Sequence, residues 1–179
     1  MSKYKINKPN VYIGLSNPKS PDNVNSVKRT AGNFGADAIF YTGTRYPRAV
    51  RLNPKPVNMS RDVSLNIPIN GATHFIDELS ADMKLVCIEL VEGAVALPVY
   101  QHPESAFYIF GPEDGSLSQE LIDQADAVIY IPTQGCMNLA ATVNVVLYDR
   151  LSKSSFSYVG DELICQNRDI NNNLVLKAK

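Results

Sequence analysis

Short apolar runs alternate with amphipathic stretches along the chain, and this alternation sets the expected architecture. Residues 10–16, NVYIGLS, form an apolar run of strand length. In residues 21–34, Val24, Val27 and Ala31 recur at helical spacing, with Pro21 and Asp22 suited to a first turn and Gly35 placed to end the helix. Residues 36–43 read as the next strand, and so do 84–91, 106–111 and 126–132. Residues 72–78 predict a further strand running into a short helix around 77–82. Residues 116–125 predict a helix, capped by Ser116 or Ser118. Residues 138–153 predict a last helix that is apolar on most faces, the pattern of a helix buried in a core or at a subunit interface. Strands that alternate with helices and are apolar almost throughout imply an α/β domain, with a mostly parallel sheet covered on both faces.

Two stretches break the alternation. Residues 44–71 are rich in Arg, Lys, Pro and Asn and read as a long exposed excursion, with a short helix near 60–65. Residues 154–179 are polar and Asn-rich, and read as an extended or partly disordered tail. The expected division is therefore a domain over 1–153 followed by a tail over 154–179.

Composition narrows the class. The 179 residues are 45% hydrophobic and 20% charged, which suits one globular domain and excludes a disordered chain. There is no apolar run of membrane-spanning length, and the basic start lacks an apolar signal core, so the expected location is cytoplasmic. Cys87, Cys136 and Cys165 form no C-x-x-C pair, and His74 and His102 lie far apart in sequence. No metal site is expected from that set, and Cys87 reads as a small buried hydrophobe.

The net charge of −1 conceals an asymmetry. Residues 1–61 carry eleven Lys or Arg against two acids, whereas residues 62–150 carry two against thirteen. A basic N-terminal third is what a polyanion-binding face requires, although folding can equally disperse such charges. The phosphate cradles common in α/β proteins are missing: the first strand is followed by GLSNPKSPDN, which is not G-x-G-x-x-G, and no G-x-x-x-x-G-K-[ST] occurs.

Three segments carry a more specific signal. The first is Asn23-Val24-Asn25-Ser26-Val27-Lys28-Arg29-Thr30-Ala31 with Phe34-Gly35. The second is Phe110-Gly111-Pro112-Glu113-Asp114-Gly115-Ser116-Leu117-Ser118, followed by Ile131-Pro132. The third is Cys136-Met137-Asn138-Leu139-Ala140-Ala141. In order and spacing they resemble the three motifs of the SpoU/TrmH family of the SPOUT superfamily, over roughly residues 10–153. The resemblance implies an RNA ribose 2′-O-methyltransferase that takes its methyl group from S-adenosylmethionine and leaves S-adenosylhomocysteine. It implies an α/β fold with a deep C-terminal trefoil knot, and a homodimer formed through helices 21–34 and 138–153. Larger relatives carry an added RNA-binding domain. This chain starts almost at its first strand, so the excursion is expected to take over that role on tRNA or rRNA.

By the same resemblance, Arg29, Asn23, Glu113 and Asn138 form the catalytic set. Arg29 acts on the 2′-hydroxyl, either as a base or by clamping an RNA phosphate and holding the hydroxyl toward the methyl group. Asn23 pairs with Glu113. Glu89, Leu90, Gly111, Ile131, Cys136 and Leu139 contact the cofactor, several of them through backbone groups. RNA is expected at Arg29, Arg45, Arg48, Arg51 and Lys55. Without their motif neighbours, Asn23 and Asn138 would read as plain helix caps and Arg29 as a surface arginine. The third motif departs from the usual Ser-Leu-Asn, and the loop Thr133-Gln134-Gly135 before it is short. A catalytically silent RNA-binding module on the same fold is therefore the alternative.

Overall fold

A computed structural model of the chain describes residues 9–53, 64, 66–155 and 159–177. Seven strands, β1 (Val11–Leu15), β2 (Ala38–Tyr41), β3 (Ile69–Gly71), β4 (Lys84–Ile88), β5 (Val95–Ala96), β6 (Ala106–Phe110) and β7 (Ala127–Tyr130), make one sheet in the order β3-β2-β1-β6-β4-β7-β5. All six pairings between them are parallel. The helices are α1 (Pro21–Phe34), α2 (Arg45–Leu52), α3 (Gln119–Gln124), α4 (Leu139–Ser152) and α5 (Asp161–Asn167).

The period of two along each strand sorts side chains onto two faces. From β1 and β6, Val11, Ile13, Leu15, Ala106, Tyr108 and Phe110 face one way, where Val24, Val27 and Ala31 of α1 and Val143, Val146 and Leu147 of α4 meet them. Phe107 and Ile109 face the other way, with Phe40, Phe75, Leu85, Cys87 and Leu117, and α3 covers them through Leu121 and Ile122. Both faces are dry, which is why these strands read as unbroken apolar runs. On the second face Gly14 lets the Ile109, Phe107 and Phe75 side chains cross β1, since a Cβ there would lie 2.4 Å from Ile109 Cδ1. Burial also pushes the Cys87 thiol up to about 12, helped by the Glu89 charge, so it stays protonated.

α1 is defined at both ends. Ser20 Oγ accepts the Asn23 N–H, Pro21 occupies the first turn, and Gly35 closes the helix at φ 68° with its N–H on the Ala31 carbonyl. Asn138 caps α4 by accepting the N–H groups of Ala140 and Ala141. β1 lies between β2 and β6, so the chain leaves it toward one side and later returns on the other. In an open parallel sheet, the carboxyl edge near such a reversal is where a crevice forms.

Three local expectations require correction. The strand expected at 72–78 ends at Gly71, and Phe75–Glu78 is a single 3₁₀ turn. That turn exists because Phe75, 4% exposed, is drawn under the sheet against Phe107, with ring centroids 5.6 Å apart. The excursion after residue 44 opens with α2, whose Tyr46 packs edge-on to Tyr41 at 5.0 Å and gives an otherwise basic segment one apolar anchor. The short helix expected near 60–65 lies outside the described residues apart from Ser64. The polar tail contains α5, a seven-residue helix with acidic Asp161 and Glu162 in its first turn.

Candidate functional site

The loops leaving β4, β6 and β7, together with the first turn of α4, enclose a cavity of about 170 Å³ at the carboxyl edge of the sheet. Glu89 and Leu90 enter from β4, Gly111 to Glu113 and Gly115 from β6, Ile131 and Cys136 from β7, and Leu139 and Thr142 from α4. All six residues expected to contact a cofactor stand in this one wall. Backbone approach is possible because Gly111 has no side chain: a Cβ there would be 3.1 Å from Glu89 Oε2. The Glu89 carboxylate is part of the wall itself. Its Oε1 accepts the Leu90 N–H and its Oε2 accepts the Leu117 N–H, both at 2.9 Å, tying the β4 loop to the β6 loop. From sequence, Glu89 is expected only as a contact residue, and this bridging role has no signature in spacing.

Beside the cavity, Asn23, Glu113 and Asn138 form a chain of hydrogen bonds although they lie up to 115 residues apart. Asn23 Nδ2 donates to Glu113 Oε1 at 3.0 Å, and Asn138 Nδ2 donates to Asn23 Oδ1 at 3.1 Å. Glu113 also accepts the Lys19 N–H at 2.9 Å and the Ser20 N–H at 3.1 Å, immediately before α1. Burial raises the affinity of this carboxyl for a proton. The Asn23 amide and the backbone N–H groups outweigh that effect and hold it below the usual carboxylate range. Lys19 and Ser20 were missed from sequence because what they give Glu113 is a main-chain N–H, which almost any residue type can supply. Asn138 both caps α4 and donates to Asn23, so its two roles coexist, whereas Ser20 caps α1 and the Asn23 side chain is given to Glu113 and Asn138 instead of a cap.

Arg29 is exposed on α1, outside that hydrogen-bonded chain. Arg48 and Arg51 are exposed on α2, and Lys55 lies outside the described residues. Arg45 is different: its guanidinium donates to the Asn17 carbonyl and to Asp114. Among the described residues, no three His, Cys, Asp or Glu side chains gather as metal ligands. Cys136 is exposed at the cavity rim.

An all-parallel sheet with a cavity on its carboxyl edge, walled by three strand-end loops, marks an α/β protein that binds its ligand at the strand ends. Residues 10–148 match the SpoU rRNA Methylase family, and the chain belongs to it. It is 27% identical over 162 residues to the tRNA (cytidine-2′-O-)-methyltransferase TrmJ of Methanocaldococcus jannaschii, covering 80% of this chain and 68% of that protein. Its fold is similar to that of an rRNA methyltransferase from Sinorhizobium meliloti, at 25% identity and a TM-score of 0.64, over 80% of this chain and 56% of the other. It is also similar to the SpoU methyltransferase AviRb of Streptomyces viridochromogenes, solved with the cofactor AdoMet, at 20% identity and a TM-score of 0.65 over 83% and 59%. The chain thus spans less than two thirds of the length of these two structures.

Proposed function

We propose that the protein transfers a methyl group from S-adenosylmethionine to a ribose 2′-hydroxyl in structured RNA. The observation that carries this is the joining of Asn23, Glu113 and Asn138, from all three motif segments, beside the cavity that gathers the expected donor contacts. The cavity fits the donor: its wall mixes apolar side chains with strand-end backbone groups, and Gly111 leaves room for close approach. When bound, the donor supplies an already activated methyl, so the remaining work is alignment and proton management.

In this scheme, Gly111, Ile131 and Leu139 hold the donor through backbone groups, with Glu89, Leu90 and Cys136 around them. Glu113 fixes the start of α1 through Lys19 and Ser20 and thereby sets the path of the helix that carries Arg29. A guanidinium remains protonated below about pH 12, so phosphate clamping and orientation of the 2′-hydroxyl suit Arg29 better than removal of a proton. Arg48 and Arg51 face an RNA backbone, and the free Cys87, Cys136 and Cys165 suit a cytoplasmic, reducing setting. tRNA and rRNA are both candidate substrates, with tRNA favoured by the likeness to TrmJ. The trefoil knot and the homodimer complete the proposal. The dimer is supported by α4, where Tyr148 is 64% exposed beside exposed Ala141 and Asn144.

Purified protein should bind S-adenosylmethionine and label RNA at a 2′-hydroxyl. Arg29→Ala should lower transfer at least a hundredfold with thermal stability unchanged. Parental transfer by that variant would remove Arg29 from the mechanism. RNA binding with no donor binding would instead support the silent module that the altered third motif suggests.

A further inference from the structure

The turns that follow β1, β2 and β6 meet at one point on the carboxyl edge, and Arg45, the first residue of α2, stands between them. Its Nε and Nη2 donate to the Asn17 carbonyl at 2.9 and 2.5 Å, and its Nη1 donates to Asp114 Oδ1 at 2.6 Å. Its backbone N–H donates to Asn17 Oδ1 at 3.4 Å, while the Asn17 N–H donates to Thr42 Oγ1 at 3.3 Å. Asn17 adopts φ 42° and Gly43 φ 74°. A Cβ on Gly43 would stand 2.3 Å from Asn17 Oδ1, so the first two turns are fitted to each other. Lys19 Nζ adds a second cation 3.6 Å from Asp114 Oδ2.

Asp114 belongs to the same short loop as Gly111, Glu113 and Gly115 of the cavity wall. The Arg45 guanidinium therefore joins the basic helix α2 to the loop that shapes the cavity. A planar fork reaches the Asn17 carbonyl and the Asp114 carboxylate together, which a lysine ammonium cannot match. With its side chain 31% exposed and three of its nitrogens already donating inward, Arg45 is poorly placed to serve first as a phosphate contact.

We propose that Arg45 is a positioning residue that locks the 111–115 loop in its donor-receiving shape and couples that loop to the RNA-facing helix α2. The inference rests on the methyltransferase activity proposed above. Because coupling between two bound ligands is reciprocal, RNA and donor each strengthen the binding of the other by the same factor.

The test compares the parental chain with Arg45→Ala, Asp114→Asn and the double variant. It reads amide hydrogen exchange across 111–117, donor affinity by calorimetry, and RNA affinity with and without saturating S-adenosylmethionine. Each single variant should speed exchange in 111–117, weaken donor binding roughly tenfold and abolish the gain in RNA affinity that the donor gives, with exchange in β1 and β6 unchanged. The double variant should be weakened by less than the sum of the two single changes, because Arg45 and Asp114 share one charge-assisted bond. Should Arg45→Ala not fold, Asp114→Asn decides the matter, since its side chain is 49% exposed. Parental exchange and donor affinity in a variant that had lost only RNA binding would make Arg45 a phosphate contact and overturn the brace. A parental chain that bound no donor would defeat the proposed activity, while the exchange comparison would still decide the brace.

Discussion

Glu113 receives donors from Asn23, Lys19 and Ser20, and a neutral amide in its place keeps only one accepting oxygen. Glu113→Gln should therefore lower methyl transfer by about tenfold or more and loosen the start of α1, read as faster amide exchange at Lys19 and Ser20. Unchanged transfer and exchange would show that the carboxylate charge has no part in holding that turn. At this scale, the sequence pointed to several side chains that the fold brings together but to few of the bonds between them. Asn23, Glu113 and Asn138 were recognisable because each needs a particular side chain at a motif position. The bridge from Glu89 to Leu117 and the bond from Arg45 to Asn17 end on backbone atoms, which leave no trace in residue identity.

Among the elements, β1 carries the clearest steric demand. A methyl group added at Gly14 would meet the side chains of Ile109, Phe107 and Phe75 at once. Gly14→Ala should destabilise the fold by about 1–3 kcal/mol in denaturant unfolding, the range for overpacking a dense interior. A loss well below that range would mean the Ile109 rotamer gives way freely. α4 depends on Asn138, which caps it and reaches Asn23. Asn138→Ala should remove about 1 kcal/mol of helix capping and also lower transfer, whereas Asn138→Asp should restore the cap without the donation to Asn23. Stability and activity should therefore separate in the aspartate variant. Strands and long helices were legible because burial on both faces writes unbroken apolar runs. α2 was not, because its sequence is basic and holds a proline, and its apolar packing rests on Tyr46 against Tyr41. β5, at two residues, is too short to leave a periodic pattern.

For the whole molecule, acid should be the most informative stress. His102, with its side chain 4% exposed, sits in a relay at the far end of α4 from the cavity. Arg150 donates to the Tyr108 hydroxyl at 3.1 Å, that hydroxyl lies 2.7 Å from His102 Nδ1, and His102 Nε2 lies 2.9 Å from Asp149 Oδ2, which also pairs with Lys153. The chain is satisfied when Tyr108 donates to a neutral imidazole that itself donates to Asp149. Burial, joined by the Arg150 and Lys153 charges, lowers the His102 pKa despite the opposing pull of Asp149. The native state then binds fewer protons than the unfolded chain below about pH 6.5, so stability should fall as pH drops from there. Glu113 and Asp126, also held low, add a second loss below the ordinary carboxylate range, nearer about pH 4. Thermal midpoints across pH should show two descents, and His102→Gln should erase the upper one alone. An upper descent that survived that change would place its origin elsewhere. In the sequence His102 is weighed only as a metal ligand, because Asp149 and Tyr108 come to it only through the fold.

The all-parallel sheet has a further consequence for how the chain comes into being. No pair of neighbouring strands is joined by a hairpin, and β1, made first, must wait for β6, whose residues align with it from Val11 against Ala106 to Leu15 against Phe110. Every residue from 16 to 110 must be synthesised before the centre of the sheet can close, so β1 stays without one of its two permanent neighbours through that whole stretch.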